Sequence, residues 1–305
     1  MKLATHKFLH HGIATLLTLA VWANLAYADV VVTDDTGRFV RLHAPAQRIV
    51  SLAPHATELL FFAGAGQHVV GVSAFSDYPD AARRLPQVSG GMRLDMERIL
   101  ALQPDLAVGW QTGNTHADLE KLTALGIPVF FAEPQRLDAI PDTLLRLGRL
   151  AGSERAAKMA AAAYRDALTQ LRRVYRDRRP VRVFFEIGMQ PLMTLNQAHL
   201  TSDLLALCGG QNVFAASELM APEVSVEAVM LQDPDAILFS DELGTADGMR
   251  DWWRERVALR AVRAGRVYAV PADLVLRQTP RALQGAQRVC TALDAARTSL
   301  ARERK

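Results

Sequence analysis

The chain reads Leu94-Asp95-Met96-Glu97-Arg98-Ile99 at one point and Val224-Ser225-Val226-Glu227-Ala228-Val229 at a second point 130 residues later. In both stretches a residue typical of helix N-caps precedes the glutamate by two positions, and Pro-Asp follows it by seven. An apolar run comes next in each case. Each stretch therefore predicts a short capped helix that ends at Pro-Asp and leads into a buried strand. The chain is expected to contain two units built alike.

Strand and helix signals alternate around these two stretches. The first unit has a hairpin signature at 30–42, strands at 48–52, 69–72, 106–110 and 129–132, a turn at 53–58, and helices at 59–63 and 116–125. The second unit has strands at 181–187, 236–240 and 267–270 and a last helix from Pro280. This alternation predicts an α/β fold with two Rossmann-like lobes and mainly parallel sheets.

Residues 138–178 carry no strand signal and separate the two units. Ser153 is a predicted N-cap for one long alanine-rich helix that ends before Pro180. About 25 helical residues span about 38 Å, which is enough for a stiff hinge between two lobes. The predicted division is a signal peptide at 1–28, an N-terminal α/β lobe at 29–136, a helical linker at 137–180 and a C-terminal α/β lobe at 181–305.

The N-terminus indicates export. Lys2 and Lys7 precede a short apolar run, and Ala26-Tyr27-Ala28 provides a small-residue cleavage site. A transmembrane anchor is the alternative, but the run is shorter than the roughly 20 residues that span a bilayer. Loss of residues 1–28 lowers the formal net charge from +3 to +1, so nucleic-acid binding has no electrostatic support. In an oxidising compartment Cys208 and Cys290 predict one disulfide, with two unpaired buried thiols as the alternative.

No enzyme motif is complete in this sequence. Gly64-Ala65-Gly66 lacks the third glycine of a dinucleotide-binding loop, and neither a phosphate-binding loop nor a G-x-S-x-G elbow occurs. The five histidines after residue 28 show no i,i+4 pair, so no direct metal site is predicted. His55 lies in the first βα turn, where its ring is expected to face the cleft as a possible axial ligand to a bound cobalt or iron. The alternative is a histidine that stabilises the turn or lies on the surface.

The aromatic candidates for ligand contact lie at predicted strand ends. Trp110 ends a strand before a loop, and Phe75 and Tyr78 follow another strand, so each either faces a ligand or packs against its own lobe. Asp273 and Leu274 follow the last strand and are expected to line the second lobe's side of the cleft.

Taken together, the sequence resembles the helical-hinge class of periplasmic substrate-binding proteins of ABC importers, and within it the receptors for vitamin B12 (cobalamin). The resemblance covers almost the whole chain from about Arg48. The stretches that carry it are 48–54 with Thr57-Glu58-Leu59, 71–79, 87–89, 96–99 with Pro104-Asp105, Gly113-Asn114, Cys208-Gly209-Gly210, Val224-Ser225 and Pro280-Arg281.

The resemblance implies specific roles and partners. Glu97 and Glu227 are implied to dock into arginine-rich pockets of a two-fold permease at the inner membrane, and Cys208 and Cys290 fall where the class has its disulfide. It implies a monomeric periplasmic receptor without a catalytic cofactor. For the ligand it implies a corrinoid first. Haem and then a ferric siderophore are the alternatives, because Gly91, Ile187, Ala221 and Leu274 stand where B12 receptors carry aromatic rings and so predict a wider or more aliphatic cleft. A sensory protein on the same fold is the alternative from another class.

Overall fold

The protein is described by a computed structural model that covers residues 29–90, 93–241, 244, 246–256 and 258–303. The predicted signal peptide at 1–28 and Gly91 lie outside the described residues. None of the helices in the described part of the chain combines the length and apolar character that crossing a membrane requires.

The first part of the chain, which we call the N-terminal lobe (30–131), builds a parallel sheet in the order β4-β3-β5-β6, beside an antiparallel hairpin β1-β2. Its strands are β1 (Val30–Thr33), β2 (Phe39–Leu42), β3 (Ile49–Ser51), β4 (Val69–Val72), β5 (Leu106–Gly109) and β6 (Val129–Phe131). Its helices are α1 (Pro54–Phe62), α2 (Met96–Ala101) and α3 (His116–Ala124), with short 3₁₀ turns at Gly66–His68 and Ala82–Arg84.

Two helices, rather than the single predicted one, connect the sheets. After a 3₁₀ turn (Leu137–Ala139) come α4 (Ile140–Ala151) and α5 (Glu154–Tyr175), and α5 with 22 residues spans about 33 Å. The helices pack tightly because residue 148 is glycine: a Cβ there would lie 2.3 Å from Cβ of Ala157. Ser153 donates its hydroxyl to the carbonyl of Ala63 at 2.7 Å, which ties the linker to the end of α1. Ser153 occupies the predicted N-cap position of α5, but its side chain makes no capping hydrogen bond because it is bonded to Ala63 instead.

The remaining chain, which we call the C-terminal lobe (181–302), builds a second parallel sheet in the order β10-β7-β11-β12 and a small hairpin β8-β9. Its strands are β7 (Val181–Glu186), β8 (Gly188–Met189), β9 (Leu192–Met193), β10 (Gly210–Asn212), β11 (Ala236–Asp241) and β12 (Val267–Pro271). Its helices are α6 (Leu200–Leu207), α7 (Val226–Gln232), α8 (Ala246–Arg256), α9 (Arg260–Arg263), α10 (Ala272–Val275) and α11 (Ala282–Arg302). The predicted fold class, two parallel α/β sheets joined by a helical linker, is confirmed.

Helix α1 begins five residues earlier than predicted. Pro54 occupies its first turn, where a proline costs no intrahelical hydrogen bond and has the right φ for a helix. The residues from His55 to Leu60, including the polar ones, are buried. Residues 54–58 of the predicted turn are therefore helical, and Glu58 lies on a buried helix.

The two duplicated stretches form the same local structure in both lobes. In the N-terminal lobe the carboxylate of Asp105 accepts the backbone N–H of Arg48 at 2.9 Å, and the Arg48 guanidinium donates to the carbonyl of Leu102 at 2.6 Å. In the C-terminal lobe the carboxylate of Asp235 accepts the N–H of Arg182 at 3.0 Å, and the guanidinium of Arg182 donates to Gln232 at 2.5 Å. The Pro-Asp motif thus joins the end of each short helix to the first strand of its sheet.

The lobes share one continuous hydrophobic core. The largest cluster of buried side chains runs from Val30 through Leu144, Tyr164 and Leu168 to Leu293. The disulfide between Cys208 and Cys290 fastens α6 to α11 and is confirmed. On the chain-entropy account, closing a loop of this length stabilises the fold by about 4 kcal/mol.

Candidate functional site

The two lobes meet where the loop after β4 faces the segment after β12. These segments follow the carboxyl ends of parallel strands, which is the usual place for a ligand site in an open α/β sheet. The loop carries Phe75, Asp77 and Tyr78, and the facing segment carries Asp273, Leu274 and two arginines, Arg277 and Arg281.

A buried carboxylate and these two arginines form the centre of the junction. Glu58 on α1 has no exposed surface, and its carboxylate accepts two hydrogen bonds from Arg281, from Nε at 2.8 Å and from Nη2 at 2.7 Å. It also accepts one from Nη1 of Arg277 at 3.0 Å. Bidentate arginine–carboxylate pairs have strict geometry, and breaking such a buried pair leaves an uncompensated charge. This cluster therefore joins the lobes by charged groups that are shielded from water.

Two further carboxylates form the outer edge of the cluster. Arg277 donates to Asp77 at 2.7 Å and to Asp273 at 2.7 Å, and the side chains of these two residues are 39% and 43% exposed. Partial burial raises the pKa of Asp77, but the hydrogen bond and positive charge of Arg277 outweigh it and hold this pKa below its ordinary value. Three carboxylates surround two guanidiniums, so the cluster has one negative charge in excess, and the carboxylates of Asp77 and Asp273 are partly exposed.

Buried hydroxyl groups hold the loop after β4 in place. Thr57 on α1 donates to Ser51 at 2.8 Å and lies 2.9 Å from the hydroxyl of Ser76, which is 3.0 Å from that of Ser73. The side chain of Ser89 accepts the N–H of residue 74 at 3.0 Å. Because these groups are bonded to one another, the loop has a defined conformation at the junction.

The two aromatic rings on this loop have different environments. Tyr78 stacks on Phe62 with ring centroids 6.2 Å apart, and the guanidinium of Arg281 lies 4.2 Å from the Tyr78 ring centroid. Phe75 is 74% exposed and has a φ of 63°, a backbone conformation that costs energy for a residue with a side chain. Its carbonyl accepts from Asp77 N–H at 2.9 Å. Phe75 is thus held out into solvent.

His55 and Trp110 contact each other inside the N-terminal lobe. Their rings meet edge to face at 5.3 Å, and Nε2 of His55 donates to the carbonyl of Ala132 at 2.8 Å. His55 is only 3% exposed, so its ring does not face the cleft as expected, because the early start of α1 turns it inward. Trp110 packs against Gly113, where a Cβ would lie 1.9 Å from the indole. Its buried Nε1 has no hydrogen-bond partner among the described residues.

Close packing of α10 on α11 fixes the position of Leu274. A Cβ at residue 285 would lie 2.1 Å from the Leu274 carbonyl oxygen, so only glycine fits there. Leu274 and Ile187 are half-buried and Ala221 is exposed.

Sequence reasoning assigned no role to Glu58, Asp77, Arg277 or Arg281. One signal was available: Glu58 directly precedes the apolar run Leu59-Leu60-Phe61-Phe62, and a carboxylate that is buried with such a run needs a charged or hydrogen-bonding partner. The partners were out of reach, because Arg277 and Arg281 lie more than 200 residues away in sequence.

Glu97 and Glu227 occupy equivalent exposed positions on α2 and α7. Asp95 accepts the N–H of Arg98 at 3.0 Å, and the hydroxyl of Ser225 accepts the N–H of Ala228 at 3.1 Å, so both helices begin with a true side-chain cap. Two positions after each glutamate the side chain is buried, at Ile99 and Val229. Three positions after it the side chain is apolar and exposed, at Leu100 and Met230. The pKa of Glu227 is lowered by hydrogen bonds to its own backbone N–H and to Ser225.

Comparison with known proteins identifies the class. The chain belongs to the periplasmic binding proteins, because the family model described as "Periplasmic binding protein" matches residues 49–274. The fold of two parallel sheets with a helical linker is shared with solved members of this class.

The similar proteins include vitamin B12-binding proteins and a haem-binding protein. The chain is 39% identical over 252 residues to the vitamin B12-binding protein of Vibrio cholerae, which covers 83% of this chain and 91% of the relative. The crystal structure of that protein from Vibrio cholerae matches with a TM-score of 0.78, covering 83% of this chain and 98% of the other. The Yersinia pestis vitamin B12-binding protein is 37% identical, covering 84% and 89%. The periplasmic heme-binding protein RhuT of Roseiflexus is 27% identical with a TM-score of 0.73, covering 82% and 99%.

Proposed function

We propose that this protein is an exported receptor that captures a corrinoid, with cobalamin as the first candidate, and delivers it to the permease of an ABC importer. The charge balance at the lobe junction carries the ligand assignment. Asp77 and Asp273 present half-exposed carboxylate oxygens, while Arg277 and Arg281 are already engaged by carboxylates. A corrin ring carries carboxamide groups that donate hydrogen bonds, whereas haem carries carboxylates. Acceptor oxygens therefore favour the corrinoid over haem.

Aromatic side chains support the same ligand. Phe75 is exposed and Tyr78 is partly exposed on the loop after β4, and both lie beside the acidic edge of the junction. Flat rings suit contact with a macrocycle. Trp110, Asp273 and Leu274 complete the proposed contact set. His55 is not included as an axial ligand, since its Nε2 is occupied by Ala132.

Titration with cyanocobalamin, haemin and a ferric siderophore tests the ligand. Cyanocobalamin is expected to bind at least about tenfold more tightly than haemin, a difference of about 1.4 kcal/mol. The double variant Asp77→Asn/Asp273→Asn is expected to weaken cyanocobalamin binding about tenfold without weakening haemin binding, because it removes acceptor charge only. Asp80→Asn is the matched control, since Asp80 lies on the same loop with 92% of its side chain exposed. Equal or tighter binding of haemin by the wild-type protein would contradict the assignment.

The proposed partner is a two-fold permease that receives Glu97 and Glu227. Their equivalent exposure on matching capped helices supports a partner with two equivalent sites, because one glutamate on each lobe meets one subunit. Complementary charges at such a contact mainly raise the association rate and set the orientation.

Binding to the permease in lipid nanodiscs tests the docking residues. Glu97→Ala and Glu227→Ala are each expected to lower affinity at least about tenfold, and the double variant to abolish measurable binding, as for truncation of paired interfacial charges. Glu120→Ala is the control, because Glu120 is an exposed helical glutamate of the N-terminal lobe. Undiminished binding of the double variant would exclude the docking role.

The remaining parts of the proposal follow from the class. We propose that the protein binds its ligand without catalysis, acts as a monomer in the periplasm and is cleaved after Ala28. The proposed division has lobes at 29–136 and 181–305 and a linker at 137–180. Glu58 then belongs to the first lobe, and Arg277 and Arg281 belong to the second. Mass spectrometry of the exported protein is expected to find Asp29 as its first residue.

A further inference from the structure

Helices α1 and α6 each carry an acidic residue at the same place in their sequence. Helix α1 follows the first strand of its sheet and carries Glu58 immediately before two buried leucines. Helix α6, in the C-terminal lobe, carries Asp203 immediately before two buried leucines. The two acidic residues therefore occupy equivalent positions in the two lobes.

Each of these carboxylates accepts hydrogen bonds from a segment outside its own lobe. Glu58 accepts from Arg277 and Arg281 of the C-terminal lobe. Asp203 accepts from Nη2 of Arg136 at 2.8 Å and from the backbone N–H of Leu137 at 2.9 Å, in the segment that leaves the N-terminal sheet. The Asp203 side chain is 10% exposed and that of Glu58 is fully buried. The Glu58 contacts thus join the two lobes directly, whereas the Asp203 contacts join the C-terminal lobe to the boundary between the N-terminal lobe and the linker.

We propose that Glu58 fastens the two lobes to each other, that Asp203 fastens the C-terminal lobe to residues 136–137, where the N-terminal lobe passes into the linker, and that Glu58 is also a positioning residue for the ligand cleft. Glu58 is fully buried and therefore does not line the cleft itself. It acts through Arg277, which it holds between Asp77 and Asp273 so that their acceptor oxygens stand at a fixed separation. The positioning role rests on the proposed function, whereas the fastening role does not.

The energetic argument depends on burial. A fully desolvated Glu58 is stable only with its arginine partners in place, so any opening that separates the lobes would leave a buried charge unpaired. Arg281 is in turn covered by the ring of Tyr78. Movement of the lobes is therefore coupled to the loop that carries the aromatic candidates.

Two measurements on the full mature chain test the proposal. Spin labels at exposed Leu125 and Leu219 report the distance distribution between the lobes, and cyanocobalamin titration reports the cleft. The native cysteines do not interfere, because they form the disulfide. Glu58→Gln is expected to broaden the distance distribution and weaken cyanocobalamin binding at least about tenfold. Asp203→Asn is expected to broaden the distribution.

The controls separate positioning from loss of folding. Asp138→Asn breaks an exposed ion pair with Arg172 within the linker and is expected to change neither readout. Glu58→Gln/Arg281→Gln is expected to bind no more weakly than Glu58→Gln alone, because both act on one contact. If Glu58→Gln fails to fold, Arg281→Lys keeps the charge, loses the bidentate contact and is expected to weaken binding at least about threefold.

The outcomes are distinct. A wild-type distance distribution in both Glu58→Gln and Asp203→Asn overturns the fastening role. Wild-type affinity in folded Glu58→Gln, or in Arg281→Lys where Glu58→Gln does not fold, overturns the positioning role. Lack of cyanocobalamin binding by the wild-type protein defeats the proposed ligand, while the distances still decide the fastening role.

Discussion

Lowering the pH from 7 to about 4.5 is expected to reduce the free energy of unfolding by about 2.5 kcal/mol for each of two histidines, the buried His55 and the half-buried His199. Burial lowers the pKa of each from 6.5 to about 4, and for His55 the charge of Arg277 lowers it further against the opposing hydrogen bond to Ala132. The folded protein then binds fewer protons than the unfolded chain. The stability that depends on the neutral form of these histidines is fully present above pH 6.5 and is lost as the pH falls towards 4.

Urea unfolding at several pH values measures this effect. His55→Gln keeps an N–H donor for Ala132, and His199→Asn keeps an N-cap for α6, where Nδ1 of His199 accepts the N–H of Thr201 at 3.1 Å. Each variant is expected to lose about half of the acid sensitivity contributed by the histidines. His43→Gln is the control, since the His43 side chain is 96% exposed. A pH profile of both variants that matches the wild type would refute this origin of the acid sensitivity.

Glu186→Gln is expected to raise the free energy of unfolding by about 3 kcal/mol near pH 8 and to change it little near pH 4.5. Glu186 ends β7 with 1% exposure, and burial raises its pKa to about 7 although Trp253 donates to Oε2 at 2.8 Å. Its Oε1 has no hydrogen-bond partner among the described residues. Because the folded state binds the proton more tightly than the unfolded chain, the free energy of unfolding falls as the pH rises from about 4.5 to about 7, and the loss is complete above pH 7. Glutamine removes that charge and keeps an acceptor for Trp253.

Thermal unfolding of the wild type and Glu186→Gln at both pH values checks this prediction. As the pH falls, protonation of Glu186 raises the free energy of unfolding, whereas protonation of the two histidines lowers it. Glu186→Gln removes the first effect and is therefore also expected to lose stability more steeply on acidification than the wild type. Glu154→Gln serves as the control, because Glu154 is an exposed helical glutamate. A variant that is less stable than the wild type at pH 8 would show that the negative charge is needed in the folded state.

Much of the fold was predictable because its signals are local. The hairpin at 30–42, the apolar strand cores and the capped helices with Glu97 and Glu227 depend on residues within a few positions of one another. The linker was predicted less well. The sequence indicated one helix, but Gly152 with a φ of 68° ends α4, and a second helix, α5, begins at Glu154.

The site was predicted only in part. Phe75, Tyr78 and Asp273 lie at the lobe junction beside the charged cluster, whereas His55 turns into its own lobe, since Pro54 starts α1 before it. His55 was predicted to lie in a turn, but in a helix the direction of its side chain is set by the 3.6-residue period, and this period directs it into the lobe.

The sequence by itself determined the duplication, the fold class and the matched pair of glutamates, because caps, turns and apolar periodicity are set by near neighbours. Only the tertiary structure decided what Glu58 and Asp203 do. Glu58 bonds to Arg277 and Arg281, and Asp203 bonds to Arg136. These partners are distant in sequence, and only folding brings them together. Burial makes these ion pairs costly to break, so Glu58 holds the two lobes together and Asp203 holds the C-terminal lobe to the start of the linker.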